Sequence, residues 1–528
     1  MKLMAATAIR VSATTSEARV SRRRLLAIIF ATLATLISYV FLISAGCFTT
    51  FPTHTISKAA NVADYLDQQA NGFLQGHLSL PREPAPELLA APNPYDPKLV
   101  SYWYWDATYY KGKYFLYWGP VPALWVAAVK SVFGIHWIPD QVPVFFFACL
   151  LVCFTAAILL VCLRKHRQTF PFWPLIVGLF AWAWSGPIPL ILGRAAAYEA
   201  AVLSAQAWLV AGLFLALLAL DATARVRLML VACAGLALGL ACASRLSVLP
   251  AAALIGGAAT LALIKQTNTK TVAGILAPMV ALGTPLITIL GLLGLFNYLR
   301  FDSPLETGFR YQFSIIRPGG AFHLRYLLVN VYSYFLRPPA FSSHFPFLEV
   351  NSQTANVLPR WLTAPFGYYF EPIVGVAFVM PFCVFAVLLF PAMARAVTKI
   401  LLPTGLTRTT DKDHDPALTL LLSGLFSLAF VAPLPLLFYF TSTMRFLGDG
   451  LAGTALLSTL GFATAIERAS HRRRLRVFVA ASGIFLVVFG TAISLLLWTK
   501  NVNFLEKHNL KLYQQLETFF DHDHLSRP

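Results

Sequence analysis

Apolar runs of about twenty residues recur along the chain, separated by short polar stretches. A helix rises about 1.5 Å per residue and the hydrocarbon core of a bilayer is about 30 Å thick, so one run of that length makes one crossing. The pattern predicts eleven crossings, over residues 25–47, 142–163, 170–192, 200–220, 228–243, 247–264, 272–296, 372–392, 417–440, 451–466 and 477–498. The expected class is an all-α membrane protein with about eleven transmembrane helices and two large exported loops, 48–140 and 297–369. Residues 1–24 read as a cytoplasmic segment, 25–498 as one polytopic domain, and 499–528 as an exported, partly amphipathic tail. The first run exceeds the 7–15 residues of a signal-peptide core, so it reads as a retained helix.

The polar stretches orient the spans, because basic residues concentrate in short cytoplasmic loops. Arg19, Arg22, Arg23 and Arg24 precede the first span. Arg164, Lys165 and Arg167 follow the second, Arg225 and Arg227 the fourth, and Lys265 and Lys270 the sixth. Arg395, Lys399, Arg408 and Lys412 follow the eighth, and Arg468 and Arg472 to Arg474 the tenth. A cytoplasmic N-terminus satisfies the rule throughout and leaves the C-terminus outside.

The first exported loop has its own pattern. Asp64–Leu74 reads as an amphipathic helix on the membrane surface. Residues 81–97 are proline-rich, and 102–122 are crowded with Trp and Tyr around a single acid, Asp106. Ala123–Phe133 is too short to span and reads as a second interfacial helix.

Composition agrees: 58% of residues are hydrophobic and 12% charged, against about 25% charged in soluble domains. The net charge of +18 sits in short loops between apolar runs, which argues against a nucleic-acid partner. The seven cysteines lie in or beside apolar segments and read as small core residues. No zinc-type spacing, Walker loop or dinucleotide glycine pattern is present.

Ionisable groups at membrane depth are costly and point to function. Asp106, Arg194, Glu199, Arg245, Asp302, Glu306, Arg310, Arg445 and Asp449 all fall on the exported side. Some have plain structural readings: Asp302 can pair with Arg300, Glu199 with Arg194, and Asp106 can be a solvated acid in an aromatic belt. Tyr109 and Lys113 in the aromatic stretch are further candidates for binding substrate.

The stretches Asp106–Ala123, Gly193–Glu199, Ala243–Ser247, Asn297–Tyr311 and Met444–Asp449 together resemble the GT-C superfamily of polytopic glycosyltransferases, such as protein mannosyltransferases and lipid A aminoarabinose transferases. The resemblance implies a bacterial inner-membrane enzyme. Its donor would be a polyprenyl-phosphate sugar in the membrane lipid, and its acceptor a glycan, lipid or protein. An acid of the first exported loop would act as base, with inversion, while arginines hold the phosphate. By position the base falls on Asp106, and the phosphate on Arg245 and Arg445, with Arg194 and Arg310 as further candidates. The sequence also departs from the family pattern. Ala107 follows Asp106 where many members have a second acid, and Thr49–Lys58 contains none. Asp64 and Asp67 are therefore alternative equivalents, and Glu199 or Glu306 can supply a second acid. Some relatives use a divalent metal, Mg²⁺ or Mn²⁺; no cluster in this sequence demands one.

Two other readings remain. A transporter or lipid flippase is expected to contain broken helices, and Gly186–Pro189 and Pro433–Pro435 can break the third and ninth spans. A non-catalytic subunit can share the fold.

Overall fold

A computed structural model describes residues 2–48, 64–165, 172–267, 271–314, 320–349, 357–401, 415–500 and 503–521. Arg167, Lys270, Arg408, Lys412 and residues 49–63 of the first loop lie outside them, as do 315–319 and 350–356 of the second loop and the end of the tail. Eleven helical segments among the described residues are long and apolar enough to cross a membrane. The chain is an integral membrane protein built on helices, as the hydropathy pattern requires.

The long helices are α1 (Lys2–Ile43), α4 (Gln141–Lys165), α7 (Ala197–Leu220), α8 (Ala224–Ser244), α9 (Leu249–Thr267), α10 (Val272–Phe301), α13 (Leu451–Arg468) and α14 (Arg473–Lys500). Helices α2 (Tyr65–Leu74) and α3 (Val121–Phe133) belong to the first loop. The third span is broken into α5 (Trp173–Trp184) and α6 (Ile188–Gly193) at Gly186-Pro187, where Gly186 takes a positive φ of 113°. In the ninth span α12 (Pro416–Phe426) gives way to a wider turn at Ser427–Val431. It then tightens at Leu434–Phe438 around the Pro433 and Pro435 pair. Proline lacks the amide proton and clashes with the preceding turn, which accounts for this break.

The enclosed elements are Ala197–Leu220, Met444–Arg468 and the two halves of the third span; Val272–Phe301 leaves most of its surface outward. That outward surface is apolar, as contact with lipid requires. Small residues allow close helix crossings within the bundle. A Cβ at Gly235 of α8 would stand 2.0 Å from the Leu282 carbonyl oxygen of α10.

The eighth span departs from expectation. The apolar pattern predicts it at 372–392, but it runs over Pro381–Leu401, as a tight turn Pro381–Leu389 followed by α11 (Phe390–Leu401). The preceding residues are committed elsewhere. The Gly375 amide donates to the Arg337 carbonyl at 2.7 Å, and a Cβ there would stand 2.7 Å from the Arg337 nitrogen. Val379 O accepts from Ser185 Oγ. The second loop therefore extends to about residue 380, and Arg395 and Lys399 lie within the helix.

Helix α2 forms where expected, but protein rather than lipid covers its inner face. Tyr65, Leu66 and Ala70 are buried as it packs on α3. Asp67 accepts from Lys130 Nζ of α3 at 2.6 Å, with both side chains almost fully enclosed. At the C-terminal end, α15 (Phe504–His508) leads to α16 (Leu510–Asp521), whose Phe520 stacks on Phe345 of the second loop at 5.6 Å.

Candidate functional site

The aromatic stretch is a hairpin. Strands β1 (Thr108–Tyr110) and β2 (Lys113–Phe115) pair antiparallel through a two-residue turn, Lys111-Gly112. Both turn residues have positive φ, 47° and 75°, the geometry that matches the twist of a hairpin. Asp106 precedes β1, also at positive φ (63°). Its amide donates to the Phe313 carbonyl at 2.6 Å, and the Phe313 amide returns a bond to Ala107 O at 2.8 Å. The Phe313 ring is stacked between Trp103 (4.9 Å) and Tyr109 (5.2 Å). These contacts lock the first and second loops together and fix where Asp106 points.

Asp106 lines a cavity of about 720 Å³. Its wall is drawn from the first loop, the ends of α6 and α7, the α8–α9 turn, the end of α10, the second loop, and residues 435–446. All are segments that the sequence pattern expects on the exported side. Both Asp106 oxygens are engaged: Oδ2 accepts from the Tyr198 hydroxyl and Oδ1 from Gln312 Nε2 at 3.0 Å. Burial raises the Asp106 carboxyl above its ordinary range, against the lowering effect of the Tyr198 bond and of Arg445; Glu371 raises it further and Arg194 lowers it.

Beside Asp106 lies a pair that sequence reasoning missed. Arg445 grips Glu371 with two nitrogens, Nη1 to Oε2 at 3.1 Å and Nη2 to Oε1 at 3.2 Å. Burial favours protonated Glu371, but Arg445 and Arg194 outweigh it and hold the carboxyl below its ordinary range. Arg445 also lies over the Tyr198 ring, 4.9 Å from its centroid. Glu371 falls where a span was expected to begin, so nothing in the apolar pattern singled it out.

The other arginines differ in how fully they are paired. Arg245 Nη2 stands 2.9 Å from Asp449 Oδ2, and its Nε donates to Ser247 Oγ. Arg194 stands 3.9 Å from Glu199 and 4.0 Å from Glu371, so it is only loosely held. Glu199 is buried behind Arg194. Arg300, expected to pair with Asp302, does not. Asp302 is exposed and bonds Lys111 Nζ at 2.7 Å and the Tyr110 hydroxyl at 2.9 Å. Arg300 is buried and donates instead to Leu116 O at 2.6 Å and Asn297 Oδ1 at 2.8 Å.

Of the residues singled out by sequence, Asp106, Arg194, Arg245 and Arg445 line this one cavity, with Glu199 and Asp449 paired directly behind its arginines. Asp64 and Asp67 belong to a separate cluster that joins α2 to the start of α4. Asp64 accepts from the Asp140 amide and Trp137 Nε1, Asp67 from Lys130 and the Ile138 amide, and Asp140 from the Leu66 amide. Tyr109 packs in the aromatic stack, its carbonyl accepting from Tyr95. Glu306 accepts from the Gly308 amide. Lys113, Glu306 and Arg310 are not among the residues lining the cavity.

A divalent metal does not fit the acids present. The oxygens of Asp106 and Glu371 accept bonds from hydroxyl, amide and guanidinium donors. Among the described residues no group of three or more His, Cys, Asp or Glu side chains could hold one. No protein-family model matches this chain, and no curated protein matches its sequence. What the helices define is a polytopic membrane protein with about eleven candidate spans.

Proposed function

We propose that the chain is a membrane glycosyltransferase of the GT-C type, moving a sugar from a polyprenyl-phosphate donor to an acceptor hydroxyl on the exported face. The observation that carries this reading is a half-buried carboxylate, Asp106, sharing one cavity with four arginines at one end of the bundle. The sequence resemblance described above supplies the reaction. The elements of chemistry it needs are a base, a seat for an anionic leaving group, and room for a sugar beside lipid.

Asp106 is the proposed base. A carboxyl raised by burial is better matched to taking a proton near neutral pH than an ordinary one. Tyr198 and Gln312 hold its orientation. The acceptor oxygen gives its proton to Asp106 and forms the new bond to the anomeric carbon. The bond from that carbon to the phosphate oxygen breaks on the opposite face, and the phosphate leaves with the electron pair. Arginine side chains stabilise the charge that develops there. The volume of about 720 Å³ lies within the range of small-molecule sites, and Leu246, Leu293 and Leu436 add apolar lining suited to isoprenoid.

The test is transfer of labelled sugar from a panel of undecaprenyl-phosphate sugars, in membranes with and without the protein. Protein-dependent consumption of one donor with formation of a labelled glycoside is the expected result. Movement of a lipid across the bilayer with the donor intact would overturn it in favour of a flippase. The interrupted third and ninth spans, which bring Pro435 and Leu436 to the cavity wall, favour that second reading.

A further inference from the structure

Four arginines line the cavity, and their charges are not equally compensated. Arg445 is closed by a two-point bond to Glu371, and Arg245 by a single close contact with Asp449. Arg194 has two carboxylates near 4 Å. Arg300 has none among the described residues. Its bonds go to neutral oxygens: Leu116 O, Asn297 Oδ1 and, at 3.4 Å, Phe296 O. It is nonetheless only 4% exposed. Its flat faces rest on aromatic rings, 3.8 Å from the Phe296 centroid and 4.6 Å from that of Phe301.

A buried cation without a counter-ion is costly unless something supplies the opposite charge. A guanidinium carries five N–H donors, and three are used here. The two that remain belong to the Nη nitrogens, which form the fork that meets phosphate oxygens. Asn297 stands beside it, equally buried, with one amide hydrogen given to Pro304 O and a second left over. Arg300 and Asn297 both line the cavity.

We propose that Arg300 and Asn297, at the exported end of α10, form an anion seat that takes a phosphate group of the cavity's ligand. Arg300 supplies charge and a planar fork, and Asn297 a neutral donor. The aromatic faces of Phe296 and Phe301 hold the fork in place when the seat is empty. The bond to Leu116 O fixes the seat against the loop that carries Asp106. A phosphate at the head of a lipid and a free phosphate offer the same oxygens. The choice of a lipid phosphate rests on the transferase reading, whereas the seat itself rests on the uncompensated charge. The assignment differs from the sequence expectation, which put the phosphate on Arg245 and Arg445; both of those charges are already met by carboxylates.

The experiment is equilibrium binding to the full-length protein in nanodiscs, with no sugar transfer involved. The probes are geranylgeranyl phosphate, geranylgeraniol and inorganic phosphate. Wild type is expected to bind the lipid phosphate at least about ten-fold more tightly than the alcohol, the worth of a charge-assisted contact. Arg300→Gln, folded with its stacking partly kept, is expected to lose that preference, while Arg300→Lys keeps part of it. Competition by inorganic phosphate at comparable concentration would assign the seat to free phosphate; failure to compete assigns it to a lipid headgroup. A folded Arg300→Gln protein that still prefers the phosphate ten-fold overturns the seat, as does a wild type with no preference. If Arg300→Gln does not fold, Arg300→Lys decides: a single-point cation should bind the lipid phosphate several-fold more weakly, and unchanged affinity refutes the fork. Absence of sugar transfer with phosphate preference intact would sink the enzyme reading and leave the seat standing.

Discussion

Asp106 is the proposed base, and its surroundings make that role testable. Burial raises its carboxyl, and the hydroxyl of Tyr198 partly offsets this. A base must be ionised, so activity should fall as pH drops through that raised value. The charged groups facing it are Arg445, Arg194 and Glu371, and Gln312 completes the shell. In Tyr198→Phe the carboxylate loses a donor that favours its charged form. The acidic limb of the pH–rate profile should therefore move to higher pH while activity at alkaline pH is largely kept. A limb that stays in place would argue against Asp106 as the titrating group. Glu371 makes a different prediction. Glu371→Gln takes the two-point carboxylate partner from the largely enclosed Arg445 guanidinium, which costs about 3 kcal/mol. The measurement is thermal unfolding of the purified protein in detergent, with Gln expected well below wild type.

These residues also mark the limit of what the sequence disclosed. Asp106, Arg194, Arg245 and Arg445 could be found because charges are rare at the ends of apolar runs. Which cation meets which acid could not. Glu371 and Arg445 are brought together by the parallel pairing of β3 (Tyr369–Phe370) with β4 (Thr441–Ser442), a contact across many intervening residues. Arg300 looked paired because Asp302 is its near neighbour in sequence. In the fold Arg300 turns inward and Asp302, at positive φ, turns out to Lys111.

At the scale of elements, ten of the eleven spans lie close to where hydropathy put them, because a twenty-residue apolar window is a strong signal. The proline pairs announced the breaks in the third and ninth spans. The eighth span was misplaced because residues 372–380 are as apolar as a span, yet tight packing on Arg337 and a bond to Ser185 hold them in the second loop. Crossings of helices give a sharper test. Gly235→Val should force α8 from α10, since the Leu282 backbone cannot retreat from a new Cβ. Its melting temperature should fall well below that of Gly257→Ala, a position where nothing lies within 4 Å. Equal melting of the two variants would contradict the close crossing. The small helices of the first loop are joined in another way. Asp67→Asn strands Lys130 between α2 and α3, at a cost of about 3 kcal/mol, read as faster proteolysis within residues 64–140.

For the whole molecule, the alternation of basic and non-basic loops predicts an orientation in which the cavity opens on the exported side. A phosphatase active only outside the cytoplasm, fused after Phe133 or after Asp521, should be active; fused after Ser470 it should be silent. The reverse pattern would turn the cavity to the cytoplasm and remove the exported-face reading. Sidedness and the role of Asp106 meet in single-turnover transfer from a labelled undecaprenyl-phosphate sugar, with wild type and Asp106→Asn compared at equal folded protein. Wild type is expected to turn over and the variant to lose about a hundred-fold or more, with donor binding retained. Equal turnover by the two proteins would contradict this and remove Asp106 as the base.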